Sequence, residues 1–177
     1  FKFYDAGHIL GSAITLLEIT ENGAVKRLVF TGDLGRDFLP ILRDPEFVAE
    51  TAETLIMECT YGNRIHKPVA DLAGNLKQIV NDAVKNGSKI MVPAFSLGRT
   101  QELIYMLHKL IDKKEIPALP MYVDSPLAKN ITQVFQKYTS DFDEEFWQDF
   151  GEKGVSAFAI KNLITTSSME ESKSINA

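Results

Sequence analysis

Two short segments of the chain each place a side chain that can bind a metal ion next to a glycine. His8 lies in the segment 5–13 (Asp-Ala-Gly-His-Ile-Leu-Gly-Ser-Ala), and Asp33 lies in the segment 30–36 (Phe-Thr-Gly-Asp-Leu-Gly-Arg). An imidazole and a carboxylate together suit a zinc-like divalent ion, and a carboxylate can bridge two such ions. Taken singly, a histidine such as His8 is more often an ordinary core or surface residue, and Asp33 could equally be a turn residue. Zinc takes about four ligands, so these two side chains alone do not complete a site.

The elements that would position these side chains are strands. The apolar runs 14–20 and 24–30 flank an Asn-Gly pair, which is the strongest short-range signal for a hairpin. A third run, Thr54–Cys59, predicts a buried strand that carries Glu58. A carboxylate among apolar neighbours needs a partner or its pKa rises, unless it lies on a polar strand face. Because catalytic residues collect at strand ends, His8, Asp33 and Glu58 are the candidate catalytic residues.

The second part of the chain alternates amphipathic helices with apolar strands, which predicts a parallel α/β sheet with right-handed crossovers. We place the domain boundary between residues 62 and 63, with a β-rich domain at 1–62 and an α/β domain at 63–177. Ser168 and Glu171 have the spacing of a capping box and predict a further helix start. The predicted helices span 71–85, 99–112, 127–138 and 143–150, and the predicted strands span 89–95, 119–123 and 155–160.

Several polar residues are candidates for binding substrate. Ser96 and Arg99 lie in a Ser-Leu-Gly-Arg-Thr turn between a predicted strand and a predicted helix. There, backbone N–H groups and a guanidinium could hold a phosphate, although a plain capped helix start explains the same residues. Arg64 and His66 follow in a polar loop and face either substrate or solvent. His108 lies off the apolar stripe of its helix and is predicted to be a surface residue.

An aromatic cluster with helical spacing begins at Phe142 and includes Phe146, Trp147 and Phe150. Core packing is the better interpretation of this spacing, and a base-stacking platform is the alternative.

Composition limits the class of protein. The apolar fraction is 45% and the charged fraction 24%, which are globular values that disfavour disorder. The net charge of −5 gives no overall attraction to nucleic acid, although a local basic groove can still bind phosphates. No apolar run approaches the roughly 20 residues that span a bilayer, so no membrane partner is expected. The single cysteine, Cys59, fits a reducing compartment, and we expect a cytoplasmic protein.

Both ends of the chain interrupt predicted elements. The first residues read as the middle of a strand without a methionine, and the last residues read as a helix that has just begun. We therefore expect this chain to be an excised piece of a longer protein.

The ordered set of motifs resembles the metallo-β-lactamase fold in its β-CASP nuclease branch. The motifs are the segments 5–12, 31–36 and 58–66 of the first part, and 93–103, 124–128 and 168–173 of the second. Within that branch the chain is most similar to the nuclease subunit of the cleavage and polyadenylation specificity factor and to its prokaryotic relatives. The implied fold is part of an αββα sandwich, followed by most of a β-CASP domain with a parallel sheet flanked by helices.

The resemblance implies a hydrolase with two Zn²⁺ ions that cleaves phosphodiester bonds of single-stranded RNA. By matching motif, His8 would bind the first zinc, Asp33 would bridge both, and Glu58 would orient a catalytic histidine. Ser96, Arg99, Arg64 and His66 would contact the substrate. The full-length protein would be a candidate homodimer.

The chain departs from the family pattern because the His-x-His-x-Asp-His motif, which supplies most zinc ligands, does not occur in it. We therefore expect this piece alone to bind zinc weakly or not at all and to be inactive. Three other functions stay open: a DNA-processing β-CASP nuclease, a noncatalytic scaffold of an RNA-processing complex, and an α/β module that binds phosphate ligands. The glutamate at position 58 favours the RNA branch, while His8 and Asp33 argue against a scaffold.

Overall fold

A computed structural model of the chain describes residues 1–65, 71–151 and 157–175. The chain divides into two compact units, Phe1–Lys67 and Pro68–Ala177. The boundary expected between residues 62 and 63 stays a prediction. Among the helices of the described residues, none has the length and apolar character needed to cross a membrane.

The first unit is built on a four-stranded sheet in the order β1-β2-β3-β4. The first three strands are antiparallel, and β4 adds to β3 in parallel. A parallel neighbour requires a long connection, and the segment between β3 and β4 provides it without helices or further strands. The strands span Lys2–Asp5, Ala13–Glu21, Ala24–Phe30 and Thr54–Ile56.

The hairpin between β2 and β3 confirms the Asn-Gly prediction. Asn22 and Gly23 both have positive φ angles, 52° and 78°, as a two-residue hairpin turn requires. Glu21 pairs with Ala24 directly across this turn, and the register continues to Thr15 opposite Phe30. The turn therefore fixes which side chains of both strands face the core.

One face of this sheet forms the core of the first unit. The side chains that alternate toward this face are buried, as a strand period of two predicts. The opposite face presents a row of apolar side chains from neighbouring strands, with Phe3, Phe30 and Ile56 exposed. The buried set is Tyr4, Ala6, Ile14, Leu16 and Val29, with Leu34, Val48 and Ala52 packed against it.

In its described residues, the second unit contains five α-helices, a short 3-10 helix at Thr139–Asp141 and a small parallel sheet. The two strands, β5 (Met121–Val123) and β6 (Leu163–Thr165), pair in parallel. The chain is thus a mixed α/β protein with a parallel sheet, as predicted, and the αββα sandwich of the first unit stays a prediction. The helices α1 to α5 span Asp71–Asn86, Arg99–Asp112, Pro126–Lys137, Glu144–Phe150 and Met169–Ser174.

Side-chain caps explain where three of these helices begin. Ser125 accepts a hydrogen bond from the Ala128 N–H at 3.1 Å at the start of α3. Asp143 caps α4 in the same way. Ser168 accepts from the Glu171 N–H at 3.2 Å, which confirms the predicted helix start. Each cap satisfies a backbone donor that has no partner inside its helix.

Three predicted strands are corrected by the structure. The strand beginning at Thr54 ends at Ile56, and its side chains are exposed rather than buried, because β4 lies at the sheet edge. The segment 89–95 is irregular, and Pro93 within it has no N–H to give to a ladder. Of the predicted strand 155–160, residues 155 and 156 lie outside the described part, and 157–160 are not a strand. The partner of β5 is instead Leu163–Thr165.

The aromatic cluster packs in the core of the second unit, which confirms that interpretation of the helical spacing. Phe142 and Phe146 are buried, with their ring centroids 4.5 Å apart. His108 is a correction: its ring lies 5.0 Å from the Phe150 ring, and its Nδ1 is 2.9 Å from the Ala157 carbonyl oxygen. The histidine is therefore partly buried, because α4 covers the side of α2 that the apolar stripe did not include.

Candidate active site

His8 lies in the loop that joins β1 to β2. The Ser12 hydroxyl oxygen accepts hydrogen bonds from the N–H groups of His8 and Ile9, both at 3.2 Å. The Ser12 N–H in turn donates to the Ile9 carbonyl oxygen at 2.9 Å. A serine hydroxyl that binds nearby backbone groups fixes a turn in this way. These hydrogen bonds hold the shape of the loop that carries His8.

Two glycines allow this loop to pack closely against its neighbours. Gly7 has a φ of +61°, and a Cβ there would lie 2.7 Å from Pro45 Cδ. A Cβ on Gly35 would lie 1.8 Å from the Gly7 carbonyl oxygen. The Gly35 N–H also donates to the Ala6 carbonyl oxygen at 2.8 Å. The loop that carries His8 therefore contacts the loop that carries Asp33, backbone against backbone.

These contacts bring the two candidate ligands together. His8 Nε2 lies 3.9 Å from Asp33 Oδ2. Their side chains remain 41% and 74% exposed, so both are accessible to an ion or a substrate. The first two residues that the sequence singled out are neighbours in space.

Glu58 belongs to the same group, since its carboxylate holds the Asp33 loop. Glu58 Oε1 accepts a hydrogen bond from the Leu34 N–H at 2.7 Å, and the Glu58 N–H donates to Thr31 Oγ1 at 3.3 Å. The Leu34 N–H is the largest cause that lowers the pKa of Glu58; Thr60 adds to it, and the nearby His8 contributes in the same direction. The Glu58 carboxylate thus has hydrogen-bond partners, and its pKa is lowered rather than raised.

The donors present fit part of a metal site. Two atoms that each lie about 2.1 Å from one zinc ion can be at most about 4.2 Å apart. The separation of 3.9 Å between His8 Nε2 and Asp33 Oδ2 satisfies that limit. Within residues 1–65, 71–151 and 157–175, however, no group of three or more His, Cys, Asp or Glu side chains is arranged to hold a metal. His8 and Asp33 would need further ligands from outside the described residues.

The loop after Glu58 carries the next candidates. Arg64 is exposed, and its guanidinium lies over the Tyr61 ring, 6.0 Å from the ring centroid. Its backbone N–H donates to the Tyr61 carbonyl oxygen at 2.9 Å. His66, which was expected to bind substrate, lies outside the described residues.

Ser96 and Arg99 lie in the second unit, in the turn that precedes α2. Ser96 Oγ is 3.0 Å from Ser125 Oγ, so two helix-entry turns meet at their hydroxyls. Arg99 Nη1 lies 3.5 Å from Glu102 Oε2, so the Glu102 carboxylate forms an ion pair with one end of the guanidinium. Gly98 caps the helix with a φ of 82°. The turn is thus a helix start that presents two hydroxyls and one cation.

Sequence reasoning missed the residue that holds this turn together. Gln101 is fully buried, and its side-chain oxygen accepts from the Gly98 N–H at 2.9 Å. Its side-chain nitrogen donates to the Ser96 carbonyl oxygen and to Thr132 Oγ1. The signal in the sequence was a glutamine at the third helical position, as in a capping box.

A second missed residue is Asp124, which follows β5. Its two carboxylate oxygens accept hydrogen bonds from Thr166 Oγ1 and Ser172 Oγ, both at 2.7 Å, and these bonds lower its pKa. Asp124 therefore ties the end of β5 to the end of β6 and to α5. The acidic residue directly after an apolar strand was the available signal.

Comparison with known proteins identifies the family. Residues 100–177 match the Beta-Casp domain family. The chain is 30% identical over 174 residues to Ribonuclease TTHA0252 of Thermus thermophilus, an alignment that covers 98% of this chain and 38% of that protein. It is 30% identical over 175 residues to Endoribonuclease YSH1 of Kluyveromyces lactis, which covers 97% of this chain and 22% of that protein.

The chain belongs to the β-CASP family. An RNase J-like protein of Methanocaldococcus jannaschii is also similar, with 33% identity over 140 residues, 78% of this chain and 32% of that protein. The resemblance to the β-CASP branch that the ordered motifs indicated is thereby confirmed. The β-CASP chain spans well under half the length of each of these three relatives.

Proposed function

We propose that the protein to which this β-CASP chain belongs is a metal-dependent ribonuclease that hydrolyses phosphodiester bonds of RNA. The observation that carries the proposal is the convergence of three polar side chains at strand ends. His8 Nε2 is 3.9 Å from Asp33 Oδ2, and the Glu58 carboxylate binds the backbone next to Asp33. The relatives named as ribonucleases support RNA as the substrate class.

In this proposal His8 and Asp33 would be the zinc ligands that the chain contributes. Zinc, when bound, would supply an activated water and stabilise charge on the phosphate oxygens. Glu58 acts on the backbone: because its carboxylate accepts the Leu34 N–H, it holds the loop that carries Asp33 in place. By resemblance, Glu58 would also orient a catalytic histidine.

We propose Ser96, Arg99, Arg64 and His66 as contacts to the RNA. Arg64 and Arg99 support this role because both are exposed cations on fixed turns. Arg can bind a phosphate through two parallel hydrogen bonds. A DNA substrate is the alternative, and cleavage of a matched single-stranded DNA in preference to RNA would favour it.

The decisive test is a substitution in the full-length protein. Asp33→Asn keeps the shape of the side chain but removes its charge, and we expect it to lower kcat/KM on RNA by at least about 100-fold. Asp37→Asn, an exposed carboxylate four residues later, is the matched control and should leave the rate unchanged. Equal rates for the two variants would reject the proposed site. Absence of RNA cleavage by the wild-type protein would favour a noncatalytic scaffold.

We further propose that this chain alone binds zinc weakly or not at all and is inactive. The support is the ligand count, since His8 and Asp33 supply two donors where zinc takes about four. Isothermal calorimetry of the chain with zinc should show no tight binding. A stoichiometric complex of micromolar or higher affinity would contradict this proposal.

A cytoplasmic location and a homodimer of the full-length protein complete the proposal. The single cysteine supports a reducing compartment. Light scattering of the full-length protein measures its mass directly. A mass equal to one chain would reject the dimer.

A further inference from the structure

Asp5, the last residue of β1, is bonded to a residue that lies 41 positions further along the chain. The Asp5 N–H donates to Glu46 Oε2 at 2.7 Å, and the Glu46 N–H donates to the Asp5 carbonyl oxygen at 2.9 Å. Since β1 is an edge strand of the described sheet, its outer backbone groups face no partner strand there. Glu46 therefore takes the place of a neighbouring strand at Asp5, three residues before His8.

The residues just before Glu46 contact the same stretch of chain, and we call residues 43–46 the clasp. Arg43 Nη2 lies 2.8 Å from Asp5 Oδ2, which adds an ion pair to the two backbone bonds. A Cβ on Gly7 would lie 3.0 Å from the Arg43 carbonyl oxygen and 2.7 Å from Pro45 Cδ. The chain that leads to His8 is therefore bonded to the clasp at one residue and packed against it at another.

The backbone that leads into the clasp is strained. Ile41 has a φ of 82° although its side chain is β-branched and only 1% exposed. Phe38 also has a positive φ, 63°, and its N–H donates to Asp44 Oδ1 at 2.7 Å. A positive φ in a bulky residue persists only where surrounding contacts outweigh its cost, and such residues cluster at functional sites. The contacts that bury Ile41 and the bonds to Asp5 hold the clasp in this conformation.

Each loop that carries a candidate zinc ligand is thus held by a glutamate. Glu58 accepts the backbone N–H next to Asp33 at 2.7 Å. Glu46 accepts the Asp5 N–H at the same distance, on the chain that leads to His8. The ligand atoms of His8 and Asp33 are 3.9 Å apart, and one zinc ion allows at most about 4.2 Å. Little room is left for the His8 loop to move outward.

We propose that Glu46 is a positioning residue that, through Asp5, fixes the His8 imidazole beside Asp33. The inference rests on the proposed metal-dependent ribonuclease for its consequence: zinc affinity depends on Glu46, although its role is to hold the backbone and not to bind the ion. Removal of residues that support metal ligands typically lowers metal affinity by about 10- to 100-fold. Because Glu46 acts on the backbone, we expect the lower end of that range.

The chain offers a matched control with the same two bonds at another place in the sheet. Glu53 Oε2 accepts the Arg27 N–H at 2.6 Å, and the Glu53 N–H donates to the Arg27 carbonyl oxygen at 3.1 Å. Both Glu53 and Glu46 are exposed. Arg27 lies three residues before the end of β3, so about 10 Å of strand separate it from the Asp33 loop. A purely structural role predicts that Glu46→Ala and Glu53→Ala behave alike.

The first test measures zinc affinity of the full-length protein by competition with a chelator. Glu46→Ala should lower the affinity by about 10-fold, whereas Glu53→Ala should leave it unchanged. Glu46→Gln keeps an oxygen that can accept the Asp5 N–H and should restore most of the affinity. If Glu46→Ala does not fold, Glu46→Asp and Glu53→Asp make the same comparison with side chains one methylene shorter. Equal affinities for the two matched variants, or no recovery in Glu46→Gln, would overturn the inference.

The second test does not depend on zinc. Diethyl pyrocarbonate modifies the His8 imidazole of the metal-free full-length protein, and mass spectrometry gives the rate. Glu46→Ala should speed this modification, because a loop that loses its bonds opens more often, while Glu53→Ala should not. A rate that is the same in both variants would overturn the inference. If the wild type neither binds zinc nor cleaves RNA, the ribonuclease proposal fails, and these His8 rates alone decide whether Glu46 positions the imidazole.

Discussion

Gly35→Ala should disable the site although it changes no side chain that could contact a ligand. The added Cβ would lie 1.8 Å from the Gly7 carbonyl oxygen, 2.2 Å from the Gly7 carbonyl carbon and 2.8 Å from the His8 nitrogen. All three are backbone atoms, so no flexible side chain can move aside. Ordinary contact begins near 3.4 Å, so the two loops must separate by about 1.6 Å.

The expected losses of activity and stability follow from that displacement. A misplacement of about 1 Å at a reacting group costs about 100-fold in rate. We therefore expect Gly35→Ala to lower kcat/KM of the full-length protein on RNA by at least about 100-fold. Overpacking should also reduce the free energy of unfolding by about 1–3 kcal/mol. Single-turnover cleavage assays and urea denaturation measure the two effects.

The control is a glycine with open space around it. Gly74 lies in α1, and a Cβ there would meet nothing within 4 Å. Gly74→Ala should leave cleavage unchanged and stabilise the helix by about 0.5–1 kcal/mol. If a folded Gly35→Ala variant cleaves RNA within about threefold of the wild type, the close approach of the two loops does not position the site.

Further predictions concern the anchoring carboxylate, the core of the second unit and the core of the first. Glu58→Gln should lower activity by about 10- to 100-fold, as loss of a supporting hydrogen bond to a metal site does. Because the folded state lowers the pKa of Glu58, the Glu58 carboxylate should add to the free energy of unfolding above the usual glutamate pKa and lose this effect as pH falls through the lowered value. Urea denaturation at several pH values should therefore give unfolding free energies of wild type and Glu58→Gln that converge at low pH. A difference that stays constant with pH would contradict this role of Glu58. Phe146→Ala should cost about 3–5 kcal/mol of unfolding free energy, because the ring is fully buried among Tyr105, Phe142 and Phe158. Trp147→Ala, a partly exposed neighbour, should cost clearly less. Leu16→Ala should cost about 2–5 kcal/mol in the first unit, and circular dichroism during thermal unfolding measures both core variants.

The sequence predicted local features well where one short-range interaction decides the structure. The Asn-Gly turn fixed the hairpin through two positive φ angles, and the helix starting at Ser168 followed from its capping hydroxyl. The helix Arg99–Asp112 was predicted with its observed bounds because its apolar period is uninterrupted. Propensity and tertiary contacts agree at these places.

The errors arose where tertiary contacts decide. An apolar, β-branched run such as 89–95 is typical of a strand, but a strand needs a partner and Pro93 removes one donor. His108 was placed on the surface because its own helix gives no apolar neighbour, whereas α4 provides the Phe150 ring. The burial of a residue by a distant element leaves no periodic signal in its own segment.

At the candidate site, the sequence singled out His8, Asp33 and Glu58 but did not predict the contacts that position them. The structure places His8 Nε2 3.9 Å from Asp33 Oδ2 and the Glu58 carboxylate against the backbone next to Asp33. The bond from the Leu34 N–H to Glu58 and the contact of Gly35 with Gly7 depend on how two loops 24 or more residues apart meet. The spacing of residues within one segment does not predict how closely that segment contacts a distant loop.

We propose that His8 and Asp33 bind the same metal ion in the full-length protein. Anomalous diffraction at the zinc absorption edge, recorded from crystals of that protein, would locate such an ion. We expect a zinc peak about 2.0–2.2 Å from both His8 Nε2 and an Asp33 carboxylate oxygen. A peak that neither residue contacts, or bound RNA with His8 and Asp33 turned away from the phosphate, would contradict it.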